Sequence, residues 1–361
     1  MKRVILIAAV VLSLSGCVTP APTSTPEPQA DSIPTGARPS SSFAIECDEL
    51  VPLVDLREIW GDRLEPESYN EAGAQGSWEM QGTALIQDGA LACRWEVPGS
   101  PQVTVLALAD AVEGYERTEP AYLDDPRFEY VPATVADGAQ TYCRTDGTVR
   151  CHWNILVGDV WISLFFEDLQ ASELAPEGGA RTTGTPVAEV ADQIIGSIAG
   201  SVRVAVERLS GELPGCNDSL DQTQVAAALD VPVDELTGSA GRPLENALGA
   251  STPDFGQTMW AYSFERLGYY ECYFAAGSLS GSAITAPGAA WILDDPSAVQ
   301  GETVEVEGLG RGIQDCRTEG DFSICTVAIA VGDDLALVSL APEDVTRGLE
   351  LSSAVVRLLV P

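Results

Sequence analysis

Lysine is nearly missing from this chain: Lys2 stands alone, and 54 acidic residues face 19 basic ones for a formal net charge of −35. Past position 2 there is no amine for Schiff-base chemistry and none for a Walker-type phosphate loop. A chain this acidic repels phosphate backbones, so no nucleic-acid partner is expected. Electrostatics likewise cannot hold it to an anionic membrane surface. His152 is the sole histidine, which excludes multi-histidine zinc sites. No Gly-x-Ser-x-Gly nucleophile elbow is present, and a catalytic His152 would lack its nucleophile and orienting acid. No enzymatic activity and no cofactor are expected on these grounds.

What is present begins at the N-terminus. Lys2-Arg3 precede an apolar run, Val4 to Leu14, that is too short to span a bilayer and ends in Leu14-Ser15-Gly16-Cys17. This is the pattern of a bacterial lipoprotein signal: residues 1–16 are expected to be removed and Cys17 to carry lipid, palmitate among its chains. The chain would then be held to the cell membrane on its extracytoplasmic face through Cys17. Residues 17–42, rich in Pro, Ser and Thr, read as a stalk that cannot form a core.

Eight further cysteines follow in two sets with one pattern, two wide gaps and then a narrow one. They are Cys47, Cys93, Cys143 and Cys151, then Cys216, Cys272, Cys316 and Cys325. Around them the residues repeat. Gln140-Thr-Tyr-Cys143-Arg-Thr-Asp-Gly147 matches Gln314-Asp-Cys316-Arg-Thr-Glu-Gly320, and Leu123-Asp-Asp-Pro126 matches Leu293-Asp-Asp-Pro296. A period of about 170 residues makes each copy a whole domain, 43–207 and 208–361.

An even cysteine count in an exported chain predicts a disulfide framework. Four cysteines allow three pairings in each copy. The Asp146-Gly147 turn favours Cys143 with Cys151 across a hairpin, and Cys316 with Cys325 has the same look. That choice would leave Cys47 to Cys93 and Cys216 to Cys272.

Each copy is predicted as an α+β unit, an antiparallel sheet with flanking helices. Helices are expected after Pro52, after Asp221, over 186–199 and over 342–359. Strands are expected near 82–86, 91–97 and 102–108, with counterparts near 258–264, 269–275 and 281–286. The clearest signals are hairpins turning at Gly158-Asp159 and at Gly332-Asp333-Asp334.

Few residues point to a site. The repeated pairs Asp124-Asp125 and Asp294-Asp295 could begin a calcium site, but without EF-hand spacing they read as solvated loops. His152 reads as a strand residue packed beside a disulfide. Trp60, Trp78, Trp95, Trp153 and Trp161 outnumber Trp260 and Trp291; core packing explains most of them, and the excess hints that any binding face lies in the first copy.

Cys47-Asp-Glu-Leu-Val-Pro52 leading into a helix, followed by Cys93-Arg-Trp95, resembles uncharacterised cell-envelope lipoproteins of actinobacteria. The second copy departs from that pattern with Cys216-Asn-Asp-Ser-Leu220 and Cys272-Tyr-Phe274. The resemblance implies location and domain type, and no activity. The expected role is therefore a non-enzymatic binding or interaction module whose partner is an envelope protein or a small-molecule ligand, without the sequence naming which. The alternative is a small-molecule carrier or sensor with a pocket in or between the two domains.

Overall fold

The computed structural model describes residues 38–68, 77–97, 100–123, 130–132, 140–144, 149–169, 186–206, 208, 213–215, 220–242, 255–295, 301–306, 308–319, 322–342 and 345–360. Cys17, Asp124, Asp125 and Cys216 lie outside these residues, as does the Asp146-Gly147 turn.

The first copy runs α1 (Cys47–Leu50), α2 (Leu53–Trp60), β1 (Glu65–Ser68), α3 (Ser77–Gln87), β2 (Leu91–Val97), β3 (Ser100–Leu108) and α4 (Val112–Leu123). It continues through β4 (Tyr130–Pro132), β5 (Gln140–Arg144), β6 (Val149–Val157), β7 (Val160–Leu169) and α5 (Pro186–Gly200). The second copy has α6 (Gln222–Leu229), β8 (Thr237–Arg242), α7 (Phe255–Leu267), β9 (Tyr270–Ala276), β10 (Leu279–Ala286) and a 3-10 turn, Ala290–Asp294. Then come β11 (Glu302–Val306), β12 (Gly310–Glu319), β13 (Phe322–Val331), β14 (Asp334–Ala341) and α8 (Val345–Leu359).

The two seven-stranded sheets share one topology. The first is ordered β1-β2-β3-β7-β6-β5-β4, and the second, read from β8, is β8-β9-β10-β14-β13-β12-β11. Registers agree residue by residue. Cys93 lies opposite Val105, Val105 opposite Leu164, and Leu164 opposite Trp153. The same row in the second sheet is Cys272, Ala283, Val338 and Val327. An α+β duplication with antiparallel sheets is what the chain builds.

Two elements differ from expectation. The strands predicted near 82–86 and 258–264 are helices, α3 and α7. Thr83-Ala84-Leu85-Ile86 is a short apolar run, and such runs do not separate strand from buried helix by period. Both helices end on a glycine in the left-handed region, Gly89 at φ 80 and Gly268 at φ 71. The next amide reaches back five residues in each, Ala90 to the Leu85 carbonyl at 2.8 Å and Tyr269 to Phe264 at 3.0 Å.

The equivalent helices α3 and α7 pack on each other between the sheets. Met80 of α3 joins Ile284, Ala328 and Leu337 of the second sheet in one core cluster. Met259, at the matching place in α7, joins Leu106, Leu108 and Trp161 of the first. The outer face of the first sheet is covered by α1, α2 and α5, and that of the second by α6 and α8. From Thr35 to Pro361 the chain is accordingly one compact unit.

The last residues of the predicted stalk belong to this unit. Arg38 ion-pairs with Asp295 at 3.0 Å, and the amide of Ser42 donates to the Gly89 carbonyl at 2.7 Å. Among the described residues no helix is long and apolar enough to cross a membrane.

Cys47 is bonded to Cys93, tying α1 to β2, and Cys316 to Cys325 across adjacent strands. Cys151 and Cys272 are also disulfide-bonded, and Cys143 lies opposite Cys151 in register. The Cys47–Cys93 bridge closes a loop of 46 residues around the first copy's outer helices. Replacing both cysteines with alanine is expected to lower stability by about 2–5 kcal/mol, read as a fall in the denaturant midpoint with a slope equal to or steeper than the parent's, since the unfolded chain is no longer cross-linked.

Candidate binding site

The residues singled out from sequence do not converge. Asp294 meets Arg311 at 3.1 Å and Asp295 meets Arg38, so each carboxylate faces an arginine. Among the described residues no group of His, Cys, Asp or Glu is placed to hold a metal ion. His152 is buried on β6 with the ring of Phe165 edge-on at 3.9 Å. Thr326 occupies the matching place in the second copy and shares a 2.6 Å hydrogen bond with Ser339. Trp95, Trp153, Trp161 and Trp291 are core residues. Trp60 stacks on Phe166 at 5.7 Å and donates its indole N–H to the Glu167 carbonyl. The side chains of Trp78 and Cys143 lie outside the described residues.

Two buried carboxylates escaped sequence reading. Asp88, just past α3, is wholly enclosed where the copies meet. Its Oδ1 accepts from Arg208 Nε at 2.7 Å and ion-pairs with Arg266 at 3.0 Å, while Oδ2 accepts from the Ser263 hydroxyl at 2.9 Å. Beside it, Gln87 donates to the Pro287 carbonyl and accepts from the Tyr269 hydroxyl at 2.6 Å. Burial pushes Asp88 up to about 6 against the pull of Arg208. This knot binds the first copy to the second; its partners sit far along the chain, so no local pattern announces it.

Glu271 lies on β9, on the sheet face turned toward α3, opposite Ile284. Its counterpart in the first copy is Ala92. Burial lifts its carboxyl to about 7, although Tyr273 and Ser282 both donate to it, Tyr273 at 2.5 Å. Among the described residues its Oε1 has no hydrogen-bond partner.

On the opposite face of that sheet, between α6 and the β8–β9 edge, lies a cavity of about 380 Å³. Leu220, Val225, Leu236, Cys272 and Phe274 form most of its wall, with Gln222, Thr237 and Tyr273 completing it. Its volume falls within the range of small-molecule sites, about 300–1,000 Å³. At matching positions of the first copy, Trp95 replaces Phe274 and is fully buried, as are Leu50, Leu56 and Leu64. The described tryptophans of the first copy, Trp95, Trp153 and Trp161, thus fill its core, and this cavity lies in the second copy. The signal was present in the sequence as Cys93-Arg-Trp95 against Cys272-Tyr-Phe274.

No family model and no curated protein matches the chain. Among solved structures it is similar to the crystal structure of MucB in complex with MucA(peri), with 12% identity over 74% of this chain and 84% of that one and a TM-score of 0.15. At that TM-score the likeness carries no argument about fold or function.

Glu271 makes stability depend on pH with a definite sign. Its folded pKa lies above the ordinary 4.5, so its contribution is complete below about 4.5 and is lost as pH rises to about 7. Asp88 adds a like decline between 3.8 and about 6. Glu271→Gln should remove the upper part of that decline. Near neutral and higher pH the variant should be more stable than the parent by about 3 kcal/mol, measured by urea unfolding across the window.

Proposed function

We propose that this chain is a non-enzymatic, lipid-anchored cell-envelope protein that binds a partner without converting it, and that the binding site is in the second copy. The observation that carries this reading is the cavity between α6 and β9. It opens on the outer face of the second sheet beside Phe274, at the place where the first copy carries the larger Trp95.

The anchor is supported by Leu14-Ser15-Gly16-Cys17 after a short apolar run, and the extracytoplasmic location by the disulfides. Between the two kinds of partner, the cavity favours a small molecule over an envelope protein. Among the described residues, the large exposed apolar side chains are Val54, Val202, Val204, Val233, Tyr273 and Ile324, and only Val202 and Val204 share a segment. A contiguous patch is what a protein interface needs.

Native mass spectrometry of the protein purified from its own membranes tests the reading. The expected spectrum shows lipid on Cys17 plus a second, non-covalent mass that leaves on collisional activation. A lipid-bearing chain with no additional mass, together with a discrete protein captured by photo-crosslinking in cells, would overturn the small-molecule reading. A Cys17→Ala chain that partitions with membranes as the parent does would overturn the anchor.

A further inference from the structure

We infer that the cavity of the second copy takes an uncharged, apolar small molecule, with an aliphatic chain as the chemistry its wall fits. This rests on the binding reading above and adds the class of ligand.

The inference comes from comparing the two copies in register. On the outer face of the first sheet one cross-strand row is Trp95, Val103, Phe166 and Cys151. In the second sheet the same row is Phe274, Gly281, Leu340 and Cys325. One row over, Trp153 gives way to Val327 and Leu164 to Val338. At each of these places except the shared cysteine the second copy carries the smaller side chain, so its outer core holds less aromatic volume.

Part of that loss has been closed by collapse. Leu340 and the Phe274 ring lie where a β-carbon on Gly281 would be, the ring at 3.1 Å. At the far side Gly348 lets α8 come down on Cys325. The α6 side has not followed. Asp221 caps α6 by accepting from the amides of Thr223 and Gln224, and Gln222 braces the helix to the Leu236 carbonyl at 3.1 Å. The cavity lies beside the first residues of α6, Gln222 and Val225. An empty apolar cavity destabilises a fold in proportion to its volume, and substitutions toward the first copy's residues would fill this one.

The wall decides the chemistry. Among the described residues, none of the side chains that line it is charged. Its polar side chains are exposed, and each donates to a protein acceptor: Gln222 to backbone carbonyls, the Thr237 hydroxyl to the Ala275 carbonyl at 3.1 Å, and Tyr273 to Glu271. A charged ligand group would lose its hydration and find no counter-ion there. A net charge of −35 further disfavours anions.

The test uses the mature chain from position 17, with Cys17→Ser, exported oxidised behind an ordinary secretory signal so that no detergent competes. The probe is N-phenylnaphthylamine, an uncharged apolar fluorophore. Saturable binding at one site is expected, displaced by dodecanol and at least tenfold more weakly by dodecanoate or dodecyltrimethylammonium. Phe274→Trp, which installs the first copy's residue, should weaken binding at least tenfold, whereas Trp95→Phe should leave it unchanged. Circular dichroism checks folding, and Val225→Phe fills the same space from α6 if Phe274→Trp does not fold. Undiminished binding in a folded cavity-filling variant would overturn the inference, as would equal displacement by the charged amphiphiles. If the probe does not bind but the membrane-purified protein retains a small molecule, the apolar class fails and the binding reading stands. If neither is seen, both fail.

Discussion

Each sheet of this protein is apolar on both faces over much of its area, and a sheet so made must be covered twice. The outer faces are covered locally, by helices adjacent in sequence to the strands they protect. The inner faces share α3 and α7, with α4 completing the layer on the first sheet and the 3-10 turn on the second. Everything else follows from that sharing. Met80 is at home in the second copy's cluster and Met259 in the first's, which makes each copy an incomplete core without the other. Asp88 fixes the arrangement with a polar knot that admits one geometry: its partners Ser263 and Arg266 belong to α7, and Arg208 to the connection between copies.

Sharing the middle layer frees the outer layers to diverge. The first copy has kept large rings, Trp95, Trp153, Phe166 and Trp60, and packs densely beneath α5. The second has exchanged them for Phe274, Val327 and Leu340. Such losses of core volume cost several kcal/mol when nothing compensates. Here the unit carries two disulfides among the described cysteine pairs and a second, intact core to draw on. A duplicated fold can in this way hold one half rigid while the other opens a site. Because the cavity lies on the outer face of its sheet, a ligand there would not disturb the interface between copies.

Much of this was legible in the chain. The cysteine pattern and the matched hairpins at Gly158-Asp159 and Gly332-Asp333 disclosed two antiparallel copies, because turn chemistry and cysteine spacing are local. The middle helices were misread for a physical reason. The described side chains of α3, Met80 and those of residues 82–87, are all buried, so that stretch lacks the polar face that separates helix from strand by period. Asp88 and Glu271 were invisible because burial is a tertiary property: an Asp-Gly pair after an apolar run looks like any solvated turn. The site was half visible. The exchange of Trp95 for Phe274 stands in the sequence, but its meaning depended on knowing that Val103, Phe166 and Trp153 were all exchanged for smaller residues in the neighbouring rows.

The shared helical layer is tested most directly by equilibrium unfolding of the oxidised mature chain, followed by amide hydrogen exchange in β2–β3 and β9–β10 together. If α3 and α7 complete both cores, the two sheets lose protection in a single transition with one midpoint. Two separate midpoints, with one sheet protected after the other has opened, would show that the copies are independent domains and would contradict the account.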